Sequence, residues 1–203
     1  MQKPVGQKLL NLNEAAGYLR LILLLMQNKS EFARAFYLPQ ANLTRSFLAY
    51  FWCLPAQLFM WSANLESFLV VNPDSNITKI SFLIQANVFD AFVWIVSAIT
   101  IAIAATLILK KPIFVPLIVS TNWFNLFVTY VFFIPTALVY FLPIAEDVGV
   151  LVKLITYLIL IGLYFRLMRQ VSGGNKPFAF ALTLLNVVLG LFMTQLAFST
   201  LYT

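Results

Sequence analysis

Residues 80–109 read ISFLIQANVFDAFVWIVSAITIAIAATLIL and are halted by Lys110-Lys111-Pro112. Only Asp90 in this stretch is ionisable. As a helix it would rise about 45 Å at roughly 1.5 Å per residue, more than the ~30 Å hydrocarbon layer of a bilayer, so its first turns stand outside that layer. A run this long and apolar, closed by a pair of lysines, is a membrane span, and that reading decides the fold.

Four further runs of the same kind flank it: residues 44–68, 113–142, 150–168 and the stretch from Lys176 onward. The first is strongly aromatic, with Arg45 at its entrance and Pro55 near its middle, where a kink is expected. Residues 113–142 hold Pro116 and Pro135, and a bend or break is expected near Pro135. Between the runs lie turn residues: Asn72-Pro73-Asp74-Ser75-Asn76, Glu146-Asp147-Val148-Gly149 and Ser172-Gly173-Gly174-Asn175. No internal repeat, low-complexity tract or soluble domain is evident. The fold class expected is all-α and integral to a membrane, with residues 1–43 as a cytoplasmic-side amphipathic region and 44–203 as a domain of five transmembrane helices.

Composition agrees. The 203 residues are 62% hydrophobic and 10% charged, with a mean hydropathy of +0.90, against about 25% charged in a soluble domain. The net charge of +6 sits in short flanks beside apolar runs. That pattern suits anionic lipid headgroups and speaks against nucleic acid.

The flanks also orient the chain. Lys3, Lys8, Arg20, Lys29, Arg34, Arg45, Lys110, Lys111, Arg166, Arg169 and Lys176 fall on one side of a five-span reading, and only Lys79 and Lys153 on the other. Glu66, Asp74, Glu146 and Asp147 share that second side. Because cationic loops stay in the cytoplasm, this places the N-terminus inside, the C-terminus outside and the protein in the cell inner (cytoplasmic) membrane.

Residues 7–27 repeat apolar side chains at three- and four-residue steps: Leu9, Leu12, Ala16, Leu19, Leu23 and Met26. This predicts a helix lying in the interface plane or, since residues 21–26 are apolar all round, one packed on a partner. Gln27-Asn28-Lys29-Ser30 offers no small-residue cleavage site, so the segment is read as retained. Asn28, three residues before Glu31, predicts a capping box opening a second short helix.

The chemistry excluded is broad. There is no histidine and one cysteine, Cys53, which removes the commonest general base, the usual haem ligand and most zinc arrangements. Two acids at depth, a Ser-Lys or Cys-based dyad and a phosphate-cradling loop are all missing from the pattern. Neither catalysis nor a cofactor is expected.

Intramembrane polar groups remain. Counted from the basic anchors, Gln57 lies ~18 Å above Arg45, Asn122 and Asn125 ~16 to 21 Å above Lys111, and Asn186 ~15 Å above Lys176. The four amides should therefore meet near the midplane, either as interhelical glue or as the lining of a small-molecule, ion or headgroup site. Asp90 and Lys153 reach similar depth near the outer edge and are expected to pair. Tyr164-Phe165-Arg166 is read as an interface anchor and Trp123 as packing.

Five spans, a cytosolic N-terminus with an interfacial helix, Asn122-Trp123, Tyr164-Phe165-Arg166 and a Leu-rich last span together resemble the Yip family of small membrane proteins, and more closely its uncharacterised alphaproteobacterial type. The eukaryotic members interact with Rab GTPases. The Asp-Leu-Tyr-Gly-Pro motif of their cytosolic half is missing here, so no functional residue is carried over. The expectation is a non-catalytic structural or interaction subunit, with membrane lipids and other membrane-protein subunits as partners. The alternative is a small transporter or channel using the midplane amides.

Overall fold

The computed structural model describes residues 12–36, 41–109, 113–142 and 146–201. Lys3, Lys8, the expected helix start at residue 7, Lys110 and Lys111 lie outside these described residues. Every element among those described is helical: α1 Leu12–Met26, a 3-10 segment Ser30–Phe36, α2 Ala41–Ser46, α3 Ala49–Val71, α4 Lys79–Ala104 with a π-helical end Ala105–Leu109, α5 Phe114–Phe141, α6 Glu146–Val171 and α7 Lys176–Leu201. Four helices, Lys79–Ile108, Phe114–Phe141, Asp147–Val171 and Lys176–Leu201, are long and apolar enough to cross a membrane. The remaining long helix, α3, has 23 residues. Gln57, Asn64 and Glu66 are spread along it, and it has no stretch as long and apolar as those of the other four.

Side-chain contacts fix how the helices run. Thr121 meets Tyr164, and Phe132 meets Tyr157, so α5 and α6 are antiparallel. At their far end Gly149 touches Val139 so closely that a Cβ there would stand 2.7 Å from Val139 Cγ2. α3 instead runs parallel to α5: the Tyr130 hydroxyl donates to the Trp52 carbonyl, Phe59 packs on Phe133, and the Tyr140 hydroxyl donates to Glu66. α4 lies antiparallel to α3, with Trp61 against Phe82 and Lys79 paired to Glu66. α7 covers α4 and α6. Residues 116–124 of α5 are all buried, which only a helix enclosed on every side can show.

The N-terminal helix is seated within the chain. α1 packs on α5 and α6, burying Ala15, Ile22, Leu25 and Met26. The sequence left an interfacial helix or a partner-bound one open; α1 finds its apolar contacts on its own bundle. Asn28 does not open a capping box. It takes the left-handed conformation (φ 66°), its N–H donates to the Leu25 carbonyl and the Lys29 N–H to that of Leu24, so it closes α1. Its side-chain oxygen accepts from Arg169 at 2.6 Å and Gln170 at 3.1 Å, pinning α1 to the end of α6.

α6 closes in the same manner at Gly173 and Gly174, both at positive φ, and the Asn175 side chain then accepts from the Phe178 N–H to start α7.

One expectation about helix continuity changes. The first run is not continuous from residue 44: it breaks at Phe47-Leu48 through tight i→i−3 turns. The Ser46 hydroxyl donates to the Leu43 carbonyl at 2.7 Å, competing with the helical backbone bond. Pro55 and Pro135, by contrast, sit inside unbroken helices. Beside Pro135 the Thr136 hydroxyl donates to the Phe132 carbonyl.

Candidate functional site

Three successive residues of α5 each reach a different neighbour. A helix turns about 100° per residue, so Thr121, Asn122 and Trp123 fan outward in three directions. Thr121 shares a 3.1 Å hydrogen bond with the Tyr164 hydroxyl of α6. Asn122 Oδ1 accepts from the Trp94 indole of α4 at 2.6 Å, and its Nδ2 donates to the Ser46 hydroxyl at 2.9 Å. Trp123, fully buried, stacks on Tyr18 of α1 with centroids 4.5 Å apart and planes 8° from parallel. One turn of α5 thereby gathers α1, α2, α4 and α6.

Asn122 is spent in this junction. Both ends of its amide are bonded, and Tyr50 closes the side with an edge-on contact to Trp94 at 5.2 Å. Tyr18, outside the spans, has its phenol held above its usual range by burial and then by the Glu14 carboxylate. The stacked pair is therefore neutral at physiological pH. Glu14 itself accepts from Arg45 at 2.7 Å.

The four amides do not form one layer. Among the described residues no hydrogen bond joins any two of Gln57, Asn122, Asn125 and Asn186. Ser46 sits beside Asn122, eight residues along α5 from Phe114, or roughly 12 Å from its start. Arg45 therefore does not mark the bundle end that was assumed for it, and Gln57 lies roughly another 12 Å along α3. Asn125 is half-buried beside this junction, with its backbone carbonyl bonded by Thr129. Asn186 is half-buried on α7.

Asp90 and Lys153 do not pair. Asp90 Oδ2 accepts from the Trp61 indole of α3 at 2.8 Å. Lys153 is on α6, which packs mainly on α1, the 3-10 segment, α5 and α7. The depth estimate matched the two along the membrane normal, but helix order separates them laterally. Tyr164 is likewise not an interface anchor: it is 3% exposed and sits inside the core, against Phe124 and Thr121. Trp123 is packing, as read.

Sequence reasoning missed Ser46, Tyr18, Trp61 and Trp94. An indole N–H in an apolar run needs an acceptor, so Trp61 and Trp94 could have been matched to Asp90 and Asn122 on that ground. Nothing local marked Ser46 or Tyr18.

Among the described residues no three His, Cys, Asp or Glu side chains group as a metal site. Two surface grooves of about 380 and 420 Å³, one beside Ile103 and Phe114 and one beside Val88 and Leu201, are lined mainly by apolar side chains. Neither gathers converging polar groups of the kind that orient a small molecule. Compared with family models, curated proteins and solved structures, the chain matches none.

Proposed function

We propose that the chain is a non-catalytic multi-pass protein of the cytoplasmic membrane, crossing it five times and acting as a structural or interaction subunit among lipids and other membrane-protein subunits. The observation that carries this reading is the junction at Asn122. There Ser46, Trp94 and Asn122, and beside them Thr121 and Tyr164, hydrogen-bond to one another, the use of polar side chains as interhelical glue, while the buried Trp123 indole N–H has no acceptor among the described residues and contributes by stacking. The outward faces of α4, α6 and α7 carry exposed Ile95, Ile99, Leu158, Ile159, Leu191 and Phe192, surfaces suited to acyl chains or to a partner's helices.

The fifth span is α3. It accompanies α5 from the level of Tyr130 and Trp52 to that of Tyr140 and Glu66. That shared length is about 15 Å, roughly half of the hydrocarbon layer, and the preceding α2, with Ser46 beside Asn122, carries the chain further toward the start of α5. With the first three described spans antiparallel to one another in order, this puts α1 on the side of the α6–α7 turn, in keeping with the cationic flanks facing the cytoplasm.

The test uses single cysteines in a Cys53→Ser background and a membrane-impermeant maleimide on intact cells and inverted vesicles. Gln27→Cys and Ser172→Cys should label from one side, Asp74→Cys and Asp147→Cys from the other. Labelling of Gln27→Cys together with Asp74→Cys would remove α3 from the spans. Gentle detergent purification should yield a stoichiometric membrane-protein partner; saturable solute uptake by the isolated chain in proteoliposomes would instead sink the subunit reading.

A further inference from the structure

Hydrogen-bond donors and acceptors between α3 and α4 do not balance. Three donors are spent: Trp61 on Asp90 Oδ2, the Tyr50 hydroxyl on the Asn87 backbone carbonyl, and Asn87 Nδ2 on the Leu83 carbonyl, which leaves the Gln57 amide nitrogen as the one unspent side-chain group. Left over, among the described residues, are two fully enclosed amide oxygens without a donor, Gln57 Oε1 and Asn87 Oδ1, and a carboxylate that meets no cationic side chain.

These acceptors are neighbours by register. Gln57 precedes Trp61 by one turn on the same face of α3, and Asn87 precedes Asp90 by nearly one turn on α4. The Trp61–Asp90 bond at one end and the Tyr50–Asn87 bond at the other clamp those turns together. An unpartnered amide oxygen away from water costs about 1–3 kcal/mol, and an ionised carboxylate costs more. Three oxygens in want of positive charge, at one helix–helix contact, are the donor set of a hard cation. The charge it can accept is set by a single carboxylate. A divalent ion would leave net positive charge in the apolar layer, whereas an alkali ion leaves none.

We propose that α3 and α4 hold one monovalent alkali cation, with Asp90 supplying the charge and Gln57 Oε1 and Asn87 Oδ1 the neutral oxygens. This does not depend on the subunit reading, because an ion of this kind serves a structural protein as a cross-link and a carrier as a coupling ion. Trp61 orients the carboxylate, leaving its second oxygen for the metal.

The experiment is thermal unfolding of the purified full chain in detergent at pH 8, with Na+, K+ or choline chloride at constant ionic strength, together with 22Na+ binding by scintillation proximity. Na+ should raise Tm saturably by about 2–6 °C over choline, and 22Na+ should bind with a stoichiometry near one. Asp90→Asn should abolish both responses. Gln57→Leu and Asn87→Leu, which keep the carboxylate, should each weaken 22Na+ binding about tenfold; they carry the test if Asp90→Asn does not fold. Equal Tm in all three salts without 22Na+ binding overturns the proposal, as does a stability that follows pH alone, which would make Asp90 a neutral carboxylic acid. Unchanged 22Na+ affinity in both amide variants also overturns it.

Discussion

Trp94 and Asn122 are joined by a 2.6 Å hydrogen bond from indole to amide oxygen, while the other end of the same amide holds Ser46. The bond links α4 to α5, and Asn122 is 2% exposed. Asn122→Leu removes both interactions and strands the indole N–H. A loss of about 1–3 kcal/mol is expected in reversible denaturation in detergent. Asn186→Leu, at a side chain without a comparable pair of bonds, should stay within about 0.5 kcal/mol of the wild type. Equal losses for the two variants would refute the junction as a special element.

Tyr18 on Trp123 is the second tie at this level. Tyr18→Ala should cost about 1–2 kcal/mol through lost area and ring contact, and Tyr18→Phe much less. The more telling measurement is hydrogen exchange: α1 amides should lose protection in Tyr18→Ala while those of α7 do not. Uniform loss across the chain would mean that α1 does not open independently.

How much of this was legible in the chain follows from which forces act locally. The spans at residues 80–109 and 113–142 matched helices α4 with its π end and α5 to within a residue or so, because length and apolarity are properties of the segment itself. The end of α1 was misread at Asn28, since Asn serves both helix starts and helix ends and only the backbone angle distinguishes them. The amide layer failed for a different reason. Depth was counted from Arg45 as though it stood at the membrane surface, yet Ser46 bonds to Asn122, well inside the bundle. Asp90 failed laterally: depth says nothing about which helices are neighbours, and its partner Trp61 was one helix away rather than two.

Gly149 and Gly162 make a matched pair on α6. At Gly149 a methyl would press on Val139 at 2.7 Å, whereas at Gly162 nothing lies within 4 Å. Gly149→Ala should lower stability by about 1–2 kcal/mol and be largely rescued by Val139→Ala. Gly162→Ala should be neutral or stabilise by up to about 1 kcal/mol through helix propensity. Thermal unfolding of the four proteins decides it; failure of Val139→Ala to rescue would show that the backbone, not this contact, sets the Gly149 requirement.

The Glu14–Arg45 pair ties α1 to α2 at 2.7 Å with both side chains partly exposed, 27% and 40%. A double-mutant cycle with Glu14→Gln and Arg45→Gln should return a coupling below about 1 kcal/mol that shrinks with added salt. A larger, salt-insensitive coupling would show that the pair is shielded from solvent when the protein is in its membrane.

The bond between Asn28 and Arg169 spans 141 positions. During synthesis α1 leaves the ribosome long before α5 and α6 exist to receive it. Its greasy stripe, with Ile22 and Leu25, must wait on the membrane surface or with a chaperone while α3 to α6 are made. Seating of the earliest described helix is thus among the last steps of assembly, and a nascent chain stalled before residue 171 would carry α1 undocked.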